Sequence, residues 1–205
     1  MNLFYAQGTV AIAPAIALIE AGIPHELTCI DFATGEQTKP EFLAVNPKGR
    51  VPALILADGT ILTETGALLD YIAALAPSAG LTPDAPVDAA HMRSTMYYLA
   101  STMHVAHAHK MRGTRWATNP DSFADMAAKV PETMAVCAKF IETDCLRGDY
   151  VCGDQFTLAD AYLYFGCSLL DPDGVDLNDF PLVRGFMERM ENRDSVKEIR
   201  AKGMV

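Results

Sequence analysis

What this 205-residue chain lacks narrows it first. No apolar run approaches the roughly 20 residues that span a bilayer, and the opening MNLFYAQG has no basic segment ahead of an apolar one. No membrane partner is expected, and the location is expected to be cytoplasmic. The five cysteines, Cys29, Cys137, Cys145, Cys152 and Cys167, are odd in number and form no CxxC pair. That spacing excludes a disulfide framework, a zinc ribbon and a thioredoxin-type dithiol. Basic charge is scarce as well: a formal net charge of −10 argues against binding a nucleic-acid backbone. What is plentiful is apolar side chain, half of all residues, which is more than a disordered chain holds and enough for one large core or two small ones.

Charge does not divide the chain, since both halves are acidic; periodicity does. Residues 2–6 have strand character, residues 11–21 (AIAPAIALIEA) helical character ended by Gly22 and Pro24, and residues 27–32 strand character again. A short helical turn at 40–45 precedes an apolar run at 52–56. Asp58-Gly59 then turns the chain into a strand at 60–62, and a helix follows over 64–76. This βαβ-ββα order requires a mixed sheet covered by helices. Pro77, Pro83 and Pro86 punctuate a stretch with few bulky side chains. Beyond it, apolar residues recur at helical spacing over 91–112, 122–146, 158–170 and 182–192. The expected fold is α/β plus all-α: residues 1–77 as the first domain, 78–87 as a linker, and 88–205 as an all-helical domain. Thr157 and Asp160 stand at capping-box spacing before AYLYFG, which marks a helix start rather than chemistry.

The most specific stretch is NPKGRVPAL at 46–54, followed by Thr63-Glu64-Thr65. A cis peptide between Val51 and Pro52 would turn the Val51 N–H and C=O outward, where an extended peptide could pair with them. Glu64 and Thr65 open a helix, whose unpaired amides and positive dipole end favour a carboxylate.

With LFYAQGTVAIAPAIALIEAGIP at the start, FLAVNPKGRVPALILADGTILTE in the middle and YVCGDQFTLADAYLY near the end, the chain resembles the glutathione S-transferases, most nearly the bacterial beta-class-like branch. The resemblance implies a thioredoxin-like N-terminal domain, a helical C-terminal domain and a homodimer. It implies that Val51 binds the cysteinyl backbone of glutathione beside a cis Pro52, and that Glu64 and Thr65 hold the γ-glutamyl group. Beta-class enzymes carry a cysteine where this chain has Val10, and valine has no thiol to form a mixed disulfide.

Thiolate stabilisation must then come from elsewhere. Amides of Val10 and Ala11 at the start of a helix can lower a thiol pKa from its ordinary value of about 8.5 by roughly a unit. Thr9 offers a hydroxyl on the same turn, ahead of Tyr5, whose phenol stands at a strand end. His104 matches a histidine that beta-class transferases place near the glutathione sulfur, and a partly protonated imidazole there favours a thiolate. On one helix His104, His107 and Met111 would share a face. Met103, His107, Met111 and Trp116 are the candidates for a co-substrate pocket. His104, His107 and His109 have no Asp or Glu among them, and no metal is expected. Lys39, Lys48 or Arg50 could meet the glycine carboxylate of glutathione.

Two functions follow. One is conjugation of the glutathione thiol to a hydrophobic electrophile, with glutathione as co-substrate. The other is a glutathione-fold binding or stress-response protein with little transferase activity, to which the loss of the cysteine lends weight.

Overall fold

The computed structural model describes all 205 residues and divides into two compact units, Met1–Thr82 with Glu191–Val205, and Pro83–Met190. In the first unit, β1 (Asn2–Tyr5) leads through a loop to α1 (Ile12–Glu20) and back to β2 (Glu26–Cys29). β1 and β2 pair in parallel, Tyr5 opposite Cys29, so α1 is the crossover that parallel pairing requires. After α2 (Pro40–Val45) come β3 (Ala53–Ile55), β4 (Ile61–Thr63) and α3 (Thr65–Leu75). The sheet order is β2-β1-β3-β4, with β3 antiparallel to both β1 and β4. Gly59, at φ +86°, lets the β3–β4 connection turn, closed by the Leu56 N–H on the Thr60 carbonyl at 2.8 Å.

Leu3, Leu54, Ile16, Leu18, Leu68, Leu69 and Ile72 are wholly buried in this unit. α1 is apolar around its circumference, the pattern of a helix covered on more than one side. Its cover is completed by α9 (Asp194–Ala201), which packs along it. The sequence reading carried the helical domain to residue 205, whereas Glu191–Val205 groups with the first unit. The reason is local: Arg193 donates two hydrogen bonds to the Glu20 carboxylate at 2.9 and 2.8 Å, and Ser195 adds a third at 2.5 Å.

The second unit is helical. α4 (Pro86–Tyr98) passes through a widened turn at Leu99–Met103 into α5 (His104–Ala108). It begins earlier than the periodicity suggested because Pro86 occupies the first helical turn, where a missing N–H is harmless. α6 (Pro120–Phe140), started by the Asn119 side chain accepting from the Asp121 N–H, also ends in a widened turn, at Ile141–Cys145. α7 (Leu158–Ser168) and α8 (Pro181–Glu191) complete the set. No helix is long and apolar enough to cross a membrane.

The expected capping box of α7 is present. The buried Asp160 carboxylate accepts from the Thr157 N–H at 2.7 Å, the Thr157 hydroxyl at 2.8 Å and the Val151 N–H at 2.8 Å. Asp160→Ala would leave two buried N–H groups unpaired, so the urea midpoint should fall, with a stability loss of about 3 kcal/mol; a loss below about 1 kcal/mol would show that the cap is dispensable.

Candidate functional site

Three chain segments meet at one edge of the sheet because of its register. Phe4 pairs with Ala53, and Ala53 with Thr63. The C-terminal end of β1, the entry to β3 and the exit from β4 therefore lie side by side, carrying the 6–11 loop, Val51-Pro52 and Glu64-Thr65.

In the first segment the turn before α1 is closed by its own carbonyls: Thr9 and Val10 accept from the N–H groups of Ile12 and Ala13, each at 3.1 Å. The N–H groups of Val10 and Ala11 donate to nothing in the chain. α1 has neither a side-chain cap nor an acidic residue in its first turn, so its positive end is uncompensated. The Thr9 hydroxyl donates to the Ala6 carbonyl at 2.7 Å. In this structure its one proton points to Ala6, whereas the expected role has it donate to a thiolate. Tyr5 is buried beside its register partner Cys29; burial first, then the Cys29 neighbour, raises its pKa.

The second segment holds the expected cis peptide between Val51 and Pro52. Neither main-chain group of Val51 has a hydrogen-bond partner in the chain. The preceding loop is fixed by Asn46, whose buried side chain donates to the Arg50 carbonyl at 2.6 Å and accepts from the Lys48 N–H at 3.2 Å. Gly49 has φ +61°, and a Cβ there would lie 3.0 Å from the Gln37 carbonyl oxygen. Asn46 escaped sequence reasoning as a site residue, although N-P-x-G is a turn signature that could have flagged it.

The third segment carries the one non-glycine residue at positive φ, Glu64, at φ +74° and ψ +118°. Such backbone costs about 1–3 kcal/mol and persists where its surroundings over-determine it. Thr65, buried, follows as the first residue of α3, whose leading amides have no intrahelical acceptor and no side-chain cap. Lys48 donates to Thr63 Oγ1 at 2.8 Å and forms an ion pair with the Glu64 carboxylate. All three candidate cations are exposed, and Lys48 is the one joined to this segment.

In the second unit the histidine-rich stretch does other work. Met103 is 1% exposed and lies against Gly166 and Leu99, which makes it a core residue and removes it from the expected pocket. Met111 is 88% exposed and lies beyond the end of α5, so it does not share a helical face with His104 and His107. His107 Nδ1 is 2.6 Å from the buried Asp173 carboxylate, which also takes Lys110 at 3.0 Å. His104 lies against the Phe165 ring at 5.3 Å, and His109 against Trp116 at 4.3 Å.

The Glutathione S-transferase N-terminal domain family model matches residues 11–75, and the C-terminal domain model residues 102–194. The chain belongs to the glutathione S-transferase family. The curated Glutathione S-transferase GstA of Escherichia coli O157:H7 is 30% identical over the full length of both chains. A glutathione transferase homologue from Sulfitobacter, solved with bound glutathione, is 61% identical with a TM-score of 0.98, covering 100% of this chain and 98% of that one. A beta-class transferase from Sphingomonas chungbukensis is 30% identical over all of both chains, with a TM-score of 0.85. The chain is thus a transferase with the family's thioredoxin-like first domain and helical second domain.

Glu64 yields a test of stored strain. Glu64→Gly should raise stability by about 1 kcal/mol in urea denaturation, because glycine adopts positive φ freely and the lost exposed ion pair contributes little. Unchanged or lower stability would show that Glu64 is not strained.

Proposed function

We propose that the protein conjugates the thiol of glutathione to a hydrophobic electrophile, and that main-chain N–H groups supply the stabilisation of the thiolate. The observation that carries this is the gathering, at one sheet edge, of an unpaired Val51 main chain, the strained Glu64 beside Thr65, and the uncapped start of α1. Glutathione offers a matching set of groups. Its cysteinyl backbone pairs with Val51 as a short added strand. Its γ-glutamyl ammonium meets Glu64, and the γ-glutamyl carboxylate meets the leading amides of α3 with Thr65. Lys48, near enough to hold Glu64 in the free protein, turns to the glycine carboxylate, a role for which Lys39, Lys48 and Arg50 were the three candidates.

The sulfur then lies at the Val10–Ala11 amides. A free cysteine thiol of pKa about 8.5 is only about 3% ionised at pH 7, so lowering it by one to two units raises the nucleophile fraction about tenfold or more. The thiolate sulfur attacks the electrophilic carbon; the C–S bond forms and the leaving group departs with its electron pair. Proximity of two bound reactants supplies the rest of the acceleration. His104 is assigned an auxiliary role in favouring the thiolate, separable by the variant His104→Ala. A homodimer is inferred from the exposed apolar side chains Tyr97, Val136 and Phe140 of the second unit, and a cytoplasmic location from five free cysteines.

Calorimetry with glutathione, followed by turnover of a chloronitrobenzene, tests the proposal. Wild type should bind and turn over, and Glu64→Gln should weaken binding about 10- to 100-fold, the loss of a charged hydrogen bond. Binding without turnover would favour the binding-protein alternative, and no binding would overturn both. Thr9→Ala should reduce turnover less than about tenfold, whereas deletion of a direct anion donor costs about 100- to 1,000-fold. A loss in the higher range would return Thr9 to the mechanism.

A further inference from the structure

We propose that Met204, at the end of α9, is a positioning residue for the thiolate turn, acting through a main-chain brace on Gly8; this rests on the role given above to the Val10 and Ala11 amides. The Gly8 N–H, two residues before Val10, donates to the Met204 carbonyl at 2.9 Å. It is a main-chain hydrogen bond from the part of the β1–α1 loop that is exposed, Gln7 and Gly8, to the end of α9, and Gly8 makes it at φ +66°, where glycine bends without penalty.

The Met204 carbonyl is itself firmly placed. α9 ends on Gly203 at φ +70°, with the Gly203 N–H on the Arg200 carbonyl at 2.9 Å and the Met204 N–H on the Ile199 carbonyl at 3.0 Å. Ile199 and Met204, the two apolar partners that accompany such an ending, are both 0% exposed. The other end of α9 is pinned by Arg193 and Ser195 on Glu20, the last residue of α1. One short helix thus grips α1 at both ends, by a charged clamp behind it and by a main-chain hydrogen bond ahead of it. A turn that stabilises an anion with amides alone gains only if those amides are held in place before the ligand arrives, since displacement by about 1 Å can cost 100-fold. No part of the brace involves Val51, Glu64 or Thr65.

The prediction is therefore a split between binding and ionisation. In Met204→Ala the thiol of bound glutathione, followed by the ultraviolet absorbance of its thiolate against pH, should titrate about one unit higher than in wild type. Turnover at pH 7 should fall about three- to eightfold and recover as the pH is raised, since a thiol already lowered to between about 6.5 and 7.5 is partly ionised at pH 7. Glutathione affinity at low pH, where the thiol is protonated in both proteins, should change less than about twofold, and Met204→Leu, close in volume, should restore the wild-type titration. A lowered wild-type thiol pKa that Met204→Ala leaves in place overturns this inference alone. A wild-type bound thiol that titrates like free glutathione overturns the thiolate turn and the brace with it. Should Met204→Ala fail to fold, amide exchange in wild type decides: a Gly8 amide protected far more than that of Val10 supports the brace, and one exchanging at the rate of open peptide overturns it.

Discussion

The antiparallel register of β3 against both β1 and β4 is the constraint on which the candidate site depends. It is set by a few pairs, Phe4 with Ala53 and Ala53 with Thr63, between strands of three or four residues. A slip of one residue would send Leu3 and Leu54, both wholly buried, to the opposite face, so the core fixes the register and the register fixes the site. What gathers at that edge is mostly main chain: the free groups of Val51, the open amides before α1 and the start of α3.

Two helix starts in the second unit are treated differently. α6 is capped by Asn119, and α7 by the Thr157–Asp160 pair with its buried carboxylate. α1 and α3 have neither a side-chain cap nor an acid in the first turn, a choice that forgoes about 1 kcal/mol each. With the positive-φ Glu64, the first unit sets aside stability at one edge and recovers it at a distance, in the wholly buried side chains of α1 and α3 and in the Arg193–Glu20 clamp. An arrangement built on amides also accommodates Val10. An N–H at that position is offered whatever the side chain, so a valine there leaves the proposed stabilisation of a thiolate intact.

The parts of this legible in sequence were those written in local backbone chemistry. Val51-Pro52, Glu64-Thr65 and the Thr157–Asp160 cap are each specified by neighbours within a few residues. α9 was not legible, because it is short and offers only Val196 and Ile199 as buried apolar residues, and its partners, Glu20 and Gly8, are far away in sequence. The faces of the histidine stretch failed for a different reason. α5 ends at Ala108, so Met111 lies beyond the helix that would have set it on one face with His104 and His107. Met103, placed at the pocket because it opens that stretch, instead packs on Gly166. For Thr9 the sequence could not show where a single proton goes: the hydroxyl has only one, and in this structure it is directed at Ala6.

A net charge of −10 bears on the ligand as much as on the fold. The proposed ligand, glutathione, carries two carboxylates against one ammonium and, when reactive, a thiolate, so the protein's mean field repels it. The repulsion is weak at the site because the Debye length is about 8 Å at physiological ionic strength, and most of the acidic side chains are exposed and screened. Groups in direct contact are screened far less. Two helix N-termini, each equivalent to roughly half a positive charge, and Lys48 can therefore prevail locally over many distant acids. The same reasoning explains why position matters more than the number of charges. The helix-end field fades within a single turn, so it acts on a sulfur only if the amides of Val10 and Ala11 are held against it. An acidic protein that binds an anion by main-chain dipoles must keep its backbone still.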